Sequence, residues 1–278
     1  MGYIWAGSWL LQYIYSLFAL RIFTVSDIHI DFKENRQWFN GISGADYTND
    51  ILILAGDITH KYQLFEDALR QLCNKFKYVF FVAGNHDLWV DDRRFANSYE
   101  KHLYLLEFCQ RIGVYTEPVG FDGFVILPLY GWYDFSFGQP SEDLRNGWVD
   151  FEAFHWPQSH VVDAAPTYFM NQNTQHLKPY AVPVISFSHF MPRLDLLPER
   201  VNRDTYFLNP VLGSTRLDKQ IRLAGSALHI YGHYHVNNQQ HVQGVTYLNN
   251  AFGYPKEKHL TVKQLIEVLP SHYSGGGQ

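Results

Sequence analysis

Side chains that can bind metal ions occur at five places in the sequence, and each place follows a short apolar run. The five segments are Asp27-Ile28-His29, Gly56-Asp57, Gly84-Asn85-His86-Asp87, Ser188-His189 and Gly232-His233-Tyr234-His235. Imidazole nitrogens mixed with carboxylate oxygens suit Mn, Fe, Zn or Ni better than Ca or Mg. The residue types therefore favour a transition-metal site, and the sequence does not choose among these metals.

The apolar runs in front of these segments predict buried strands. Six short runs contain few polar residues: 22–25, 51–55, 78–82, 124–129, 184–187 and 228–231. Such runs are typical of strands that are buried on both faces. The loops after the carboxyl ends of strands in an open α/β sheet converge on one crevice, so five of these strands would bring the metal-binding side chains together.

Two apolar stripes at helical spacing predict helices over residues 64–76 and 91–113. The first stripe consists of Phe65, Leu69, Leu72 and Phe76. The second begins after an expected N-cap at Asp91, runs through Phe95, Tyr99, Leu103 and Leu106, and ends at Gly113. Both cysteines, Cys73 and Cys109, lie on or beside these stripes, so we expect buried, unreactive thiols. Alternation of strands and helices predicts a βαβ architecture.

Residues 131–180 have weak periodicity, and they include Trp132, Trp148 and Trp156. Fifty residues without secondary structure would be unusual inside a compact domain, so we expect an insertion with short helices that shapes the substrate site. The insertion would belong to a single domain over residues 21–270. Near the C-terminal end of this domain, we expect a hairpin that turns at Gln243-Gly244.

Each metal-binding segment has an ordinary structural explanation when it is taken alone. Histidine and aspartate often cap turns or form hydrogen bonds in a core, and we expect a core role for His229, which lies on a predicted strand. The whole set is not explained in this way, because all five segments stand at strand ends. Gly56, Gly84 and Gly232 precede the metal-binding residues, and a residue without Cβ permits sharp turns and close backbone contacts.

The order of the five segments resembles that of the calcineurin-like metallophosphoesterases, and the resemblance covers residues 27–235. It implies an α/β fold, a four-layer αββα sandwich in which helices flank two mixed β-sheets. It also implies a dinuclear metal site at the carboxyl ends of the strands. By position, the ligands of one metal would be Asp27, His29, Asp57 and His235. The ligands of the other would be Asp57, Asn85, His189 and His233, with Asp57 bridging and His86 as the proton donor.

The residue types suit hydrolysis of a phosphomonoester or a phosphodiester. A carboxylate between two divalent ions, here that of Asp57, offsets their repulsion. Such ions can lower the pKa of a bridging water to roughly 7 and so supply a hydroxide that attacks phosphorus. His86 could then protonate the leaving oxygen.

The sequence departs from this pattern at one position. In the phosphoprotein phosphatase branch of the family, an Asp three residues after the bridging Asp orients the catalytic His, and this chain has His60 there. We therefore expect another group to orient His86. His60 is either a histidine of a surface turn or a group near the substrate.

Three further residues are candidates for substrate binding. They are Arg193, Trp132 and Tyr234. Arg193 could clamp a phosphate oxygen with two hydrogen bonds or be solvated, and the ring of Trp132 could equally belong to the core. For Asp87 we expect a turn-stabilising role rather than metal binding.

Composition restricts the partners. The chain has 278 residues, with 22 Lys and Arg against 27 Asp and Glu, so its formal charge is −5. No basic run occurs, which counts against nucleic-acid binding. We expect a small phosphorylated substrate, with a nucleotide-like compound as one candidate, and the sequence leaves the oligomeric state open.

The two ends of the chain differ from the rest. Residues 1–20 are apolar and uncharged, and an extension, a membrane anchor and a signal peptide all remain open. An extension without stable membrane association is favoured, because a strand follows at once. We expect a cytoplasmic protein with a flexible tail over residues 271–278. The rival functions are a non-catalytic metal-binding scaffold of the same fold and a nuclease.

Overall fold

The computed structural model describes residues 20–90, 94–157, 163–199 and 205–268. The strands are β1 (Ile22–Val25), β2 (Ile51–Leu54), β3 (Tyr78–Phe81), β4 (Val119–Phe121), β5 (Phe124–Pro128), β6 (Val184–Phe187), β7 (Ser226–Tyr231), β8 (Asn238–Val242), β9 (Val245–Asn249) and β10 (Ile266–Glu267). The α-helices are α1 (Lys33–Asn40), α2 (Tyr62–Cys73), α3 (Ser98–Ile112), α4 (Glu142–Gly147), α5 (Asp150–Ala153), α6 (Ala164–Asn173) and α7 (Thr215–Leu223). All six predicted strands are present, with ends that differ by at most two residues.

The strands form two mixed sheets. The first has the order β10-β1-β2-β3, in which β1, β2 and β3 are parallel and β10 is antiparallel to β1. The second has the order β4-β5-β6-β7-β9-β8, with a parallel centre and one antiparallel strand at each edge. Because the central strands of both sheets are parallel, the segments after their carboxyl ends meet along one edge.

Side chains on the second sheet alternate between two cores. Ile126 of β5 and Ile185 of β6 belong to the core that both sheets share, whereas Leu127 and Val184 belong to a core with helices α6 and α7. Helices α2 and α3 cover the first sheet, where the ring of Phe65 packs edge-on against Phe81. Both faces of the central strands are therefore buried, which is why their sequences show little alternation. The four-layer αββα sandwich is confirmed.

Helix α3 corrects one expectation. It begins at Ser98, where the side chain of Asn97 accepts a hydrogen bond from the backbone of Glu100, and the expected N-cap Asp91 lies outside the described residues. Leu103 is 43% exposed, so the predicted stripe is not the buried face. The polar residue Lys101 is buried instead, because its ammonium donates to backbone carbonyls of two loops.

The remaining predictions of secondary structure hold where they can be checked. Three short helices, α4 to α6, lie within residues 131–180, and the hairpin turns at Gln243-Gly244 with positive φ at both residues. Cys109 is buried and Cys73 is half-buried. In the ranges that the structure describes, no helix is long and apolar enough to cross a membrane. Residues 1–19 and 269–278, which include the predicted tail and nearly all of the apolar extension, lie outside these ranges.

Candidate metal centre

The predicted metal ligands lie at sharp turns of the backbone after the strands. Four of them are non-glycine residues in the left-handed region: Asp27 (φ 53°), His29 (φ 45°), Asp57 (φ 57°) and His233 (φ 67°). A conformation of this kind costs on the order of 1–3 kcal/mol per residue and is found mainly at functional sites. Backbone hydrogen bonds from Asp27 to Gly56 and from His29 to Asp57 hold the loops after β1 and β2 together.

The first group of ligand atoms comes from the loops after β1 and β7. Nε2 of His29 lies 3.2 Å from Nε2 of His235, which lies 3.3 Å from Oδ1 of Asp27. Atoms that bind one ion at about 2.1 Å are separated by roughly 3.0–3.4 Å. Nε2 of His29 is also 3.9 Å from Oδ2 of Asp57. The His29, His235 and Asp27 atoms therefore have the spacing that one metal ion needs, and the Asp57 oxygen lies slightly farther away.

The second group comes from the loops after β2, β3, β6 and β7. Nε2 of His189 lies 3.1 Å from Oδ1 of Asn85 and 3.1 Å from Nδ1 of His233. Nδ1 of His233 is 3.0 Å from the same amide oxygen, and Nε2 of His189 is 3.6 Å from Oδ2 of Asp57. The Asp57 carboxylate therefore lies next to both groups, as a bridging ligand would.

In His189 and His233, the ring nitrogen that faces away from Asn85 forms a hydrogen bond. This bond determines which nitrogen of each ring carries a lone pair. Nδ1 of His189 is 2.9 Å from the carbonyl oxygen of Ala55, and Nε2 of His233 is 2.9 Å from that of Val211. Each of these nitrogens must be protonated to donate, so in neutral rings the other nitrogen has a lone pair. Two ring lone pairs then converge on the Asn85 oxygen, which is unfavourable without a cation between them. The donor set therefore fits a divalent metal ion.

Ionisation of the buried ligands supports the same conclusion. Burial lowers the pKa of His189 and of His233 to about 4, so both rings are neutral and able to bind a metal at pH 7. Burial, followed by the charges of Asp27 and Asp87, raises the pKa of the Asp57 carboxyl well above its usual value. A cation beside Asp57 would remove this penalty on its ionised form.

His235 has an additional partner that the sequence did not indicate. Its Nδ1 lies 2.7 Å from a carboxylate oxygen of Glu257, which leaves Nε2 to face Asp27 and His29. Burial lowers the pKa of His235, but the hydrogen bonds with Asp27 and Glu257 outweigh burial and raise it to about 9. A carboxylate on the far nitrogen is the usual arrangement for a metal-binding histidine.

His86 lies beside the ligand groups. Its backbone N–H donates to Oδ1 of Asp57 (2.9 Å), and its Nε2 is 3.8 Å from Oδ2 of the same residue. Its ring packs against Trp89, with centroids 3.6 Å apart and an interplanar angle of 30°, and its Nε2 is 3.4 Å from the hydroxyl of Tyr254. Burial and then repulsion by His29 lower the pKa of His86. Trp89 and Tyr254 thus contact the ring that the sequence left without an orienting group.

Asp87 and His60 lie in the loops after β3 and β2. The Asp87 carboxylate accepts hydrogen bonds from the backbone of Asp57, Ile58, Thr59 and Gly84, which confirms its turn-stabilising role. Nδ1 of His60 lies 3.5 Å from a carboxylate oxygen of Asp31, and the His60 carbonyl accepts a hydrogen bond from Lys101.

Asp150 is a buried carboxylate next to the second group, and no motif in the sequence pointed to it. It accepts hydrogen bonds from side-chain nitrogens of Asn85 (2.8 Å), Trp89 (2.6 Å) and Trp148 (2.8 Å). Burial raises the pKa of its carboxyl, and these donors oppose the effect. Asp150 lies within residues 131–180, so this segment reaches the predicted ligand Asn85.

A cleft of about 240 Å³ opens onto these residues. Its walls are largely apolar or aromatic, and the described residues that line it are Asp57, Asn85, His86, Trp148, Thr205, Leu208, Leu212, His233, Tyr234, His235, Val236, Tyr254, Glu257 and Leu260. Tyr234, a predicted substrate contact, is therefore at the cleft, where its hydroxyl is 2.8 Å from that of Thr205.

The structure places the other two predicted substrate contacts elsewhere. Trp132 is buried, stacks on Phe154 and lines a separate cavity of about 370 Å³ that Asp150 also lines. The Arg193 guanidinium donates to the carboxylates of Asp195 and Asp218. These carboxylates already occupy the donors that were expected to clamp a phosphate.

Comparison with known proteins finds the same fold and family. The family model described as calcineurin-like phosphoesterase matches residues 20–237. The acyl-carrier-protein phosphodiesterase PptH of Mycobacterium tuberculosis (strain ATCC 25618 / H37Rv) is 24% identical, in an alignment that covers 90% of this chain and 83% of that protein.

Solved structures support the fold independently of the family model. The crystal structure of the M. tuberculosis phosphopantetheinyl hydrolase PptH aligns with a TM-score of 0.73 at 23% identity, over 90% of this chain and 96% of that chain. The structure of TT1561 from Thermus thermophilus aligns with a TM-score of 0.52 at 16% identity, over 90% of this chain and 98% of that one. Since the family model matches most of its length, this chain belongs to the calcineurin-like phosphoesterases and is a metal-dependent hydrolase of phosphoric ester bonds.

Proposed function

We propose that the chain hydrolyses a phosphodiester with two divalent metal ions bound by the two groups of ligand atoms. The observation that carries this proposal is that both groups approach the Asp57 carboxylate, at 3.9 Å from His29 and 3.6 Å from His189. One ion would be held by Asp27, His29, Asp57 and His235, and the other by Asp57, Asn85, His189 and His233. When bound, such ions lower the pKa of water and stabilise charge on the phosphoryl oxygens. Mn, Fe, Zn and Ni all suit these donors.

We assign proton donation to His86. It lines the cleft beside Asp57 but lies outside the two four-residue ligand sets. The contacts with Trp89 and Tyr254 would hold its ring while the imidazole protonates the leaving oxygen. General acid catalysis of this kind typically accelerates a reaction 10²–10⁴-fold.

For the substrate, we propose a phosphopantetheinyl group esterified to a serine of an acyl carrier protein. The relative PptH is named an acyl-carrier-protein phosphodiesterase and a phosphopantetheinyl hydrolase. In this reaction the oxygen of water bonds to phosphorus and the bond between phosphorus and the serine oxygen breaks. The serine oxygen leaves with a proton, and 4′-phosphopantetheine is the other product.

The cleft suits this substrate better than the nucleotide-like substrate expected from the sequence. Its described lining contains aromatic and aliphatic side chains such as Trp148, Leu208 and Tyr254. The pantetheine chain is neutral, with amide and methyl groups that suit such walls.

A direct comparison of substrates tests this proposal. The chain loaded with Mn²⁺ would be given a holo acyl carrier protein, bis-p-nitrophenyl phosphate, p-nitrophenyl phosphate and a panel of nucleotides at equal concentration. We expect release of 4′-phosphopantetheine from the carrier protein, detected as a mass loss of that protein, and faster turnover of the diester than of the monoester. Preferential turnover of a nucleotide, or an unchanged carrier protein, would contradict the proposed substrate.

A further inference from the structure

The Asp150 carboxylate connects the insertion to the metal centre. Asp150 begins helix α5 and is only 2% exposed. Its Oδ1 accepts from Nδ2 of Asn85 and from Nε1 of Trp89, and its Oδ2 accepts from Nε1 of Trp148. Asn85 and Trp89 belong to the segment after β3, and Trp148 belongs to the insertion. Asp150 lies 65 residues after Asn85 in the sequence.

We infer that Asp150 is a positioning residue that sets the orientation of the Asn85 amide toward the metal and holds the Trp89 ring against which His86 packs. This inference rests on the proposed role of Asn85 as a metal ligand.

The first step concerns which atom of Asn85 faces the ligand group. An ionised carboxylate can only accept hydrogen bonds, so the Asn85 group that faces Asp150 must be the NH₂. The amide oxygen is then directed to the opposite side, where it lies 3.1 Å from Nε2 of His189 and 3.0 Å from Nδ1 of His233. If the amide were rotated by 180°, it would present its N–H groups to the cation, and the lone pairs of its oxygen would face Asp150 instead. Asp150 therefore selects the rotamer that can bind a metal.

The second step concerns His86. Trp89 donates its ring N–H to Asp150, and its carbonyl accepts a hydrogen bond from Lys101, so both the ring and the backbone of Trp89 are held. The His86 ring packs on this indole at a centroid distance of 3.6 Å and an interplanar angle of 30°. Asp150 thus restricts His86 through Trp89, in a chain without an Asp at position 60.

The third step concerns the cleft. Trp148 lines the cleft, donates its ring N–H to Asp150 and lies edge-on to His233 at 6.0 Å. The Asp150 carboxylate therefore contacts the proposed ligand Asn85, Trp89 beneath the proposed proton donor, and Trp148 in the wall of the cleft. An outer partner of this kind typically contributes a factor of 10–100 to metal affinity.

The variant Asp150→Asn tests the inference. Asparagine at position 150 has the same size but presents an NH₂ group, which allows the Asn85 amide to rotate. We expect the affinity for one of the two ions to fall 10–100-fold while the other ion is retained, as measured by calorimetric titration of Mn²⁺ into the chelator-treated full chain. The control is Asp163→Asn, in the same insertion, where the carboxylate pairs with Arg216.

Thermal unfolding separates positioning from a merely structural role. Loss of a structural hydrogen bond lowers the Tm of the metal-free and metal-loaded protein alike, whereas loss of positioning reduces the rise in Tm that Mn²⁺ produces. We expect a smaller Mn²⁺-induced rise for Asp150→Asn and an unchanged rise for Asp163→Asn. An Asp150→Asn protein with wild-type Mn²⁺ affinities and a wild-type rise would overturn the inference.

A charge-swap pair keeps the inference testable if Asp150→Asn alone does not fold. Asn85→Asp would place two buried carboxylates face to face and weaken metal binding. Adding Asp150→Asn restores a donor–acceptor contact, so the double variant should regain at least tenfold in Mn²⁺ affinity, and no recovery would contradict the inference. A wild-type chain that binds no divalent ion refutes the proposed function as well, whereas two bound ions with an unaffected Asp150→Asn variant refute this inference alone.

Discussion

A Cβ atom added to Gly84 would lie 2.1 Å from Oδ1 of Asp57. This distance is far shorter than any real non-bonded contact, and Asp57 is buried between the two groups of predicted ligand atoms. The loop after β3 can therefore approach the loop after β2 only because residue 84 lacks a side chain.

The first prediction is that Gly84→Ala displaces the Asp57 carboxylate. We expect loss of bound metal and a fall in kcat/KM of about 10²-fold or more, since a displacement of about 1 Å at a catalytic group can cost this much. Metal content of the purified variant and turnover of bis-p-nitrophenyl phosphate measure the two effects. The matched control is Gly44→Ala, because a Cβ at this exposed position meets no atom within 4 Å. Equal metal content in both variants would contradict the prediction.

The second prediction concerns Asp57 itself. Chelation should abolish hydrolysis, and Mn²⁺ or a similar ion should restore it, because bound metal ions would supply the nucleophile and stabilise the charge on the phosphoryl oxygens. Asp57→Ala should lose both ions, since its carboxylate is near His29 as well as His189. Elemental analysis measures the ions per chain.

Asp122→Asn, at an exposed turn, is the control for Asp57→Ala and should retain both ions. An Asp57→Ala protein that still holds two ions would refute the bridging role, and chelator-resistant turnover by the wild-type chain would refute a metal-dependent reaction.

The third prediction separates His86 from the metal ligands. His86→Ala should slow release of a serine alkoxide 10²–10⁴-fold but should affect p-nitrophenolate far less, since only the poor leaving group needs a proton. Parallel assays with a holo carrier protein and bis-p-nitrophenyl phosphate compare the two leaving groups. Metal content should stay at the wild-type level. An equal loss on both substrates would remove His86 as the general acid.

The clustering of the metal-binding side chains could be predicted from the sequence, because each of them directly follows an apolar run and such runs are local signals. Buried parallel strands are apolar without alternation, and the turn that follows each one positions the next polar side chain, so the clustering of Asp27 and His235 could be anticipated. The close backbone contacts at Gly56, Gly84 and Gly232 could be predicted in the same way, because each glycine stands in one of these turns. The apolar stripe does not predict the buried face of helix α3, because this face includes Lys101, whose partners are carbonyls from distant loops.

The outer partners of the site could not be predicted from the sequence. Asp150 and Glu257 lie in no motif, and each reaches the site through a contact with a residue far away in the chain, at 65 positions for Asn85 and 22 for His235. A single carboxylate in a stretch of weak periodicity is indistinguishable from a solvated one until the fold buries it. The same holds for Arg193, whose carboxylate partners are visible only in the structure.

The fourth prediction uses the core histidine His229. Its two ring nitrogens lie 2.8 Å from the hydroxyl of Ser186 and 3.0 Å from that of Ser188, and the ring is fully buried. This is the hydrogen-bonded core role expected from the sequence. Burial lowers the pKa of His229 from 6.5 to about 3, so the folded protein keeps this ring neutral in mild acid.

Acid should therefore destabilise the fold through His229. Between pH 6.5 and about 3 the unfolded chain binds a proton at this residue that the folded chain does not bind, so the free energy of unfolding falls as the pH falls. The slope approaches about 1.4 kcal/mol per pH unit inside this window and vanishes above pH 6.5. His229→Gln keeps hydrogen-bonding groups without titration, so its stability should depend less steeply on pH. Urea unfolding at pH 7, 6 and 5 measures this, with His241→Gln, at an exposed position of β8, as the control substitution. Parallel curves for wild type and His229→Gln would show that the buried ring does not carry the effect.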